Sequence, residues 1–150
     1  MKTSRKKIFT LKFFIITIGI VILANYILKL AIHENYSSKS ISTTLYTVDD
    51  TLKQVADIMN KHCPQQIDSI TVLDGTIAAY NNTFAYNYTI RVDTNQYHVK
   101  DMELVMNEYW QNNYKTNPAA EDFKRMKTTL FYNYKDVKGN FLFRVKISPN

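Results

Sequence analysis

Cys63 is the single cysteine of the chain, and His62 stands beside it. A cysteine nucleophile needs a lowered thiol pKa, a base within reach and an oxyanion donor. The helical periodicity ahead of Cys63 puts it at a helix C-terminus, where the dipole disfavours a thiolate. A half-buried cysteine closing a helix is therefore expected. His33, His62 and His98 are scattered, with no His-x-x-x-His pair and no flanking carboxylates, so no metal site is expected. Asp68 and Asp74 flank one predicted strand. An acid/base pair needs a fixed separation, and these two read as turn-forming or strand-capping groups. Gly75 and Gly139 are isolated and build no phosphate-cradling loop. The expectation is a protein with no catalytic residue and no cofactor.

The charge pattern excludes another class. The formal net charge is +6. Lys2, Arg5, Lys6, Lys7, Lys12 and Lys29 carry that excess with no acid among them, and from residue 33 onward 13 basic side chains face 13 acidic ones. A basic balance built this way describes membrane topology, not a phosphate-binding surface, so nucleic acid is not an expected partner. Lys124, Arg125, Lys127, Lys135, Lys138, Arg144 and Lys146 crowd the last thirty residues and read as a solvated sheet edge and turn.

Between Lys12 and Lys29 runs FFIITIGIVILANYIL, rich in Phe13, Phe14, Ile15, Ile16, Ile18, Ile20, Val21, Ile22 and Leu23. As a helix, its bracketing lysines stand about 25 Å apart. Flanking apolar residues and lysine snorkelling extend that to a hydrocarbon core. A cleaved signal peptide is the alternative, but cutting after Ala24 puts Ile22 at −3 and cutting after Ala31 puts Lys29 there. An uncleaved anchor over 8–32 is expected. The charges Lys2, Arg5, Lys6 and Lys7 make 1–7 a cytoplasmic tail by the positive-inside rule. Residues 33–47 are polar and Ser/Thr-rich and read as a stalk. A soluble domain over 48–150 then faces the periplasm or the exterior. The lipid bilayer is its first expected partner.

Within that domain the elements follow from periodicity. Asp49 and Asp50 open a helix whose Leu52, Val55, Ala56 and Met59 form one face. A strand is expected over Thr71–Tyr80, then a turn at Asn81-Asn82. Phe84, Tyr86, Tyr88, Ile90 and Val92 alternate with smaller, mostly polar residues and predict a strand with one apolar face. A second helix is predicted over Tyr97–Asn113, with Val99, Met102, Val105, Met106, Tyr109 and Asn113 inward and Trp110 at the margin. Asn117-Pro118 starts a short third helix with Phe123 and Met126 as its contacts. A last hairpin pairs Thr128–Tyr134 with Phe141–Ile147, with Phe141, Phe143, Val145 and Ile147 inward and Leu142 outward. No internal repeat is visible. The expected fold class is α+β, a transmembrane helix followed by an α-β-β-α-α-β-β domain with a four-stranded antiparallel sheet packed on helices.

The domain is unusually aromatic. Tyrosine serves interfaces well, with large area and one polar handle. Tyr109, Trp110 and Tyr114, at the end of the second helix, are the expected interface.

Four stretches carry a resemblance. They are Ile67-Asp68-Ser69-Ile70-Thr71-Val72-Leu73-Asp74, Phe84-Ala85-Tyr86-Asn87-Tyr88-Thr89, Thr116-Asn117-Pro118, and Tyr132-Asn133-Tyr134-Lys135-Asp136 with Gly139. In this order they resemble a family of small bacterial cell-envelope domains found behind a membrane anchor or signal. The resemblance implies an α+β envelope domain and no particular activity. It also implies a cysteine just before the Thr-Asn-Pro and another at the extreme C-terminus, where this chain has Lys115 and Asn150. The C-terminal strand must then be held by packing alone. Asp68 and Thr71, both within the pattern, are expected to hold the loop into the first strand.

The expected function is a membrane-anchored extracytoplasmic domain that binds another envelope protein or serves an assembly, without catalysis. A homo-oligomer is compatible with it. The competing readings are a prophage or mobile-element envelope factor, such as a superinfection-exclusion or immunity protein, and an enzyme whose site forms only in the fold.

Overall fold

The computed structural model of the chain describes residues 48–91, 93 and 97–149. The tail, anchor and stalk expected over 1–47 lie outside the described residues, as do Val92 and Asn150. Among the described residues no helix is long and apolar enough to cross a membrane.

The first helix, α1 (Asp50–Asn60), forms where the sequence supplies both a face and a cap. Leu52, Val55, Ala56 and Met59 are all buried. Asp49 Oδ1 accepts from the Thr51 and Leu52 backbone N–H groups at 2.8 and 3.1 Å, satisfying donors that a helix start leaves open. The strands β1 (Gln65–Gln66), β2 (Thr71–Ala79) and β3 (Thr83–Ile90) follow. Asp68 Oδ1 accepts from the Ile70 and Thr71 N–H groups at 2.7 and 2.9 Å, and so holds the turn into β2 as expected. Asn81 and Asn82 take φ of 56° and 53°, the left-handed region that asparagine tolerates, and turn β2 into β3.

The second helix, α2 (Val99–Thr116), buries Met102, Met106, Trp110 and Tyr114. The expected face is therefore rotated. The stripe runs at i, i+4 through Trp110, whose large ring gains most from burial, and it leaves Val105 at the surface. Asn117 Oδ1 accepts from Ala119 N–H at 2.9 Å and caps a 3₁₀ turn (Pro118–Ala120) that leads into α3 (Glu121–Arg125). Phe123 of α3 is buried against Phe84 at 5.5 Å between centroids. The chain ends in β4 (Thr129–Asp136) and β5 (Phe141–Ile147), joined by a turn in which Gly139 takes φ 86°.

Among the described residues the sheet has five strands, in the order β1-β2-β3-β4-β5. The expected all-antiparallel, four-stranded sheet is corrected in two ways. A short β1 pairs with β2 through Gln65–Leu73 and Gln66–Val72. The two hairpins meet in the middle as a parallel pair, β3 beside β4, so the sheet is mixed. The cause is the connection. The chain leaves β3 at Ile90, crosses one sheet face through α2 and α3, and re-enters at Thr129 opposite Thr83, where β3 began. A helical crossover of this kind delivers parallel neighbours. With α1 lying against β2 and α2 against β5, the core fills one side of the sheet.

Candidate functional site

In-register parallel pairing sets Tyr86 opposite Tyr132, Asn87 opposite Asn133 and Tyr88 opposite Tyr134. Strand alternation then sends the tyrosines to the core face and the asparagines to the other. On the core face Tyr86 stacks on Tyr132 at 5.1 Å and Tyr88 on Tyr134 at 5.2 Å. Trp110 lies flat on Tyr132 at 3.8 Å, and its Nε1 donates to Tyr134 Oη at 2.8 Å. Burial pushes the phenols of Tyr86, Tyr88, Tyr132 and Tyr134 up from their ordinary range, so all four stay protonated and neutral. Tyr88 Oη and Tyr114 Oη are buried with no hydrogen-bond partner among the described residues.

The expected interface of Tyr109, Trp110 and Tyr114 does not form an exposed patch. Trp110 is 4% exposed and Tyr114 7%, and Tyr109 meets Trp110 edge-on at 4.9 Å. The area that suits tryptophan to interfaces is here spent on the core.

The opposite face of the sheet carries no helix among the described residues. Its side chains fall into cross-strand rows. Ile77, Ala85, Phe131 and Lys146 form one row, and Gly75, Asn87, Asn133 and Arg144 the next. Along the second row Arg144 Nε donates to Asn133 Oδ1 at 2.6 Å, and Asn133 Nδ2 donates to Asn87 Oδ1 at 2.8 Å. The Arg144 guanidinium also sits 4.9 Å over the Phe131 ring. Held by one amide and one ring, Arg144 presents its remaining N–H groups in a fixed direction, which suits a carboxylate or another planar anion. Beside this row, Asp74 Oδ2 accepts from Thr89 Oγ1 at 2.7 Å and pairs with Lys135 Nζ at 3.4 Å.

Phe141 belongs to this side too, against expectation. The register shifts between Tyr134 and Lys135, so Tyr134 faces Phe143 but Lys135 faces Phe141. Phe141 is turned out beside Lys135 and is 65% exposed, while Leu142, expected outside, packs against the core. With Ile77, also exposed, and half-buried Phe131, the open face mixes apolar rings and chains with ordered polar groups.

The other sequence candidates take structural places. Cys63 Sγ donates to the Met59 carbonyl at 3.4 Å, and burial, then the Asp74 charge, pushes its thiol up. That is a protonated thiol at a helix end. Asp68 and Asp74 are engaged with turn backbone and cross-strand partners respectively. Among the described residues no three His, Cys, Asp or Glu side chains are grouped to hold a metal.

The geometry defines an α+β domain built on one mixed sheet, with a helical layer on one side and an ordered, open face on the other. By sequence the chain belongs to the family described as Domain of unknown function (DUF8479), whose pattern it matches over residues 47–143. No curated protein matches the chain. A crystal structure from Pseudomonas aeruginosa, of a protein described provisionally as secreted, is similar to it in fold. The TM-score is 0.59 at 13% identity, covering 73% of this chain and 96% of that one.

The open-face row was missed in the sequence because Asn87 and Asn133 are 46 residues apart. A signal was present. Tyr-Asn-Tyr occurs twice, at 86–88 and 132–134, although no repeat is otherwise visible. In the structure the two triplets pair in register as parallel neighbours, which sets Asn87 beside Asn133 at the middle of the row.

Proposed function

We propose that this protein is a non-catalytic extracytoplasmic domain, tethered to the cytoplasmic membrane by its N-terminal apolar segment. It recognises another envelope protein through the open sheet face. The observation that carries this reading is the pinned Arg144, held on Phe131 and Asn133 among exposed apolar side chains. An arginine whose fork is already oriented loses less freedom on binding, and arginine and aromatics concentrate in interface hot spots. Tethering adds effective concentration for membrane-bound partners. The apolar segment flanked by Lys12 and Lys29 and the basic Lys2–Lys7 support the placement, as does the likeness to a protein described as secreted.

The test uses the full chain in its own cells. A C-terminal reporter that is active only outside the cytosol should be active, and the chain should resist extraction from membranes by carbonate. A photo-crosslinking phenylalanine analogue at position 131, which keeps the ring under Arg144, should capture a partner that the same residue at Leu104, exposed on α2, does not, and Arg144→Gln should abolish the capture. A cytosolic C-terminus, or equal capture from both positions, would refute the proposal.

A further inference from the structure

Arg144 sets the direction of the open-face row. A guanidinium donates and cannot accept, so the Asn133 atom that meets Arg144 Nε at 2.6 Å must be the oxygen. Asn133 then turns its Nδ2 the other way and donates to Asn87 Oδ1 at 2.8 Å. Asn87 is left with its own Nδ2 as the last group of the row, without a partner among the described residues. Both ends therefore offer donors: the remaining guanidinium N–H groups from β5 and the Asn87 amide from β3. Two strand spacings, about 10 Å, separate these strands. The guanidinium is turned inward over the Phe131 ring of β4, so it serves the open face of the sheet and not its edge.

Charge and apolar area complete the face. Arg144 and Lys146 have no acidic partner among the described residues, and nearby Asp74 is taken by Lys135 and Thr89. The adjoining row, about 7 Å along the strands, sets exposed Ile77, then Ala85 and Phe131, beside the donors. A second copy laid face to face would bring cations against cations and donors against donors. An extended segment laid on the face would leave its own backbone groups unpaired, because the face offers side chains only. A helix bonds its backbone internally. At about 10 Å across it covers both rows, and its positions i and i+7 stand about 10.5 Å apart on one side.

We infer that the open face accepts an acidic amphipathic helix of another protein, laid across the strands, with one carboxylate on Arg144, a second acceptor seven residues away on the Asn87 amide, and its apolar side on Ile77, Ala85 and Phe131. This rests on the recognition role proposed above and specifies its partner. The donor-terminated row chooses acceptors, and the apolar row beside it fixes which side of the helix faces down.

The test uses the full chain in phosphatidylcholine nanodiscs, with empty discs as the blank. The probe is a fluorescent helical peptide of about fifteen residues, long enough to cross the rows, stapled on its outer side. It carries Glu at two positions seven apart and Leu on the adjoining stripe. Binding should weaken about tenfold with Arg144→Gln and should fall with added salt. Asn87→Asp still accepts from Asn133 but replaces the outward donor by an acceptor, and should weaken binding about threefold. Circular dichroism melts of both variants, matched to the parent chain, exclude unfolding as the cause. Two altered peptides test the fit on the unaltered chain. Moving both glutamates to the opposite side of the helix should abolish binding, and so should an unstapled peptide with a central proline, which keeps the charges and breaks the helix. Binding of either altered peptide as tight as that of the first would overturn the inference. So would association of two copies through Arg144, or Arg144-dependent capture by anionic lipid vesicles with no affinity for the peptide. In any of those outcomes, Arg144-dependent crosslinking from position 131 in cells would still uphold the recognition role, and its loss would end both.

Discussion

The same two strands give the core four stacked tyrosines and give the opposite face two asparagines in line with an arginine. Tyr-Asn-Tyr in β3 and Tyr-Asn-Tyr in β4 divide their residues by direction alone. On the core side the rings lose water, their phenols are held neutral, and Trp110 is fixed by stacking and by its hydrogen bond to Tyr134. On the open side the polar contacts are solvated, and such contacts contribute little to stability. The difference teaches where each kind of order is useful. Buried order specifies the fold. Order among side chains at the surface, where it stabilises little, is what a recognition surface requires.

The comparison breaks most visibly in base. Tyr86, Tyr88, Tyr132 and Tyr134 have pKa values raised by burial above the ordinary value of 10.0. Below that value the folded and unfolded chains bind the same phenolic protons, so the contribution is whole. Above it the unfolded chain releases protons that the folded chain keeps, and stability falls as pH rises. With all four phenols the slope is about 5 kcal/mol per pH unit. The domain should therefore unfold in a sharp transition above pH ~10, with tyrosinate absorbance and loss of circular dichroism rising together. Independent titration of the four phenols in a chain that stays folded would show that the core face is wetter than its geometry states.

Next in size is Trp110→Ala. It removes the ring that covers Tyr132 and leaves a cavity under α2, at a cost of about 4 kcal/mol in urea denaturation. Phe131→Ala on the open face, where the ring is half-buried, should cost about 1 kcal/mol. Similar losses from the two would erase the distinction between the faces.

A smaller effect separates two tyrosines within the core. Tyr134→Phe leaves Trp110 Nε1 without its acceptor and should cost about 2 kcal/mol. Tyr88→Phe removes a buried hydroxyl that has no partner among the described residues, and should be neutral or raise the melting temperature. Equal destabilisation by both would mean that Tyr88 Oη is satisfied after all.

Much of the core face was legible in the sequence. The alternation from Phe84 to Ile90 and the Asn81-Asn82 turn gave β3 its direction and its inward residues, because a period of two admits one solution. The stripe of α2 was not, because Met102 and Met106 begin two overlapping faces and local periodicity does not choose between Tyr109 and Trp110. The sheet's surroundings make that choice. Phe141 was misplaced for a different reason. Alternation counted back from Phe143 passes through a register shift that depends on β4, a strand elsewhere in the sequence. The open face was the least legible, since each of its contacts joins separate strands and depends on the parallel pairing of β3 with β4.

Asn133→Ala gives the smallest expected change and probes the open face most directly. Asn133 accepts from Arg144 and donates to Asn87, so the substitution cuts the row at its centre. Asn87 is half-exposed and Arg144 exposed, so water replaces what each loses, and stability should shift by no more than about 0.5 kcal/mol. What changes is order. The Arg144 Nε–H signal should lose its rigid heteronuclear NOE, and the side chain should sample more rotamers while still touching Phe131. Capture from position 131 should fall together with that NOE, because the freedom lost on binding rises when the arginine is no longer held. Asn133→Asp is the informative partner. It keeps an acceptor for Arg144, now charged, so the NOE should persist, but it neutralises the cation and capture should still fail. A large loss of stability from either substitution would place the open-face row among the structural contacts, and the two sides of the sheet would then differ in composition alone.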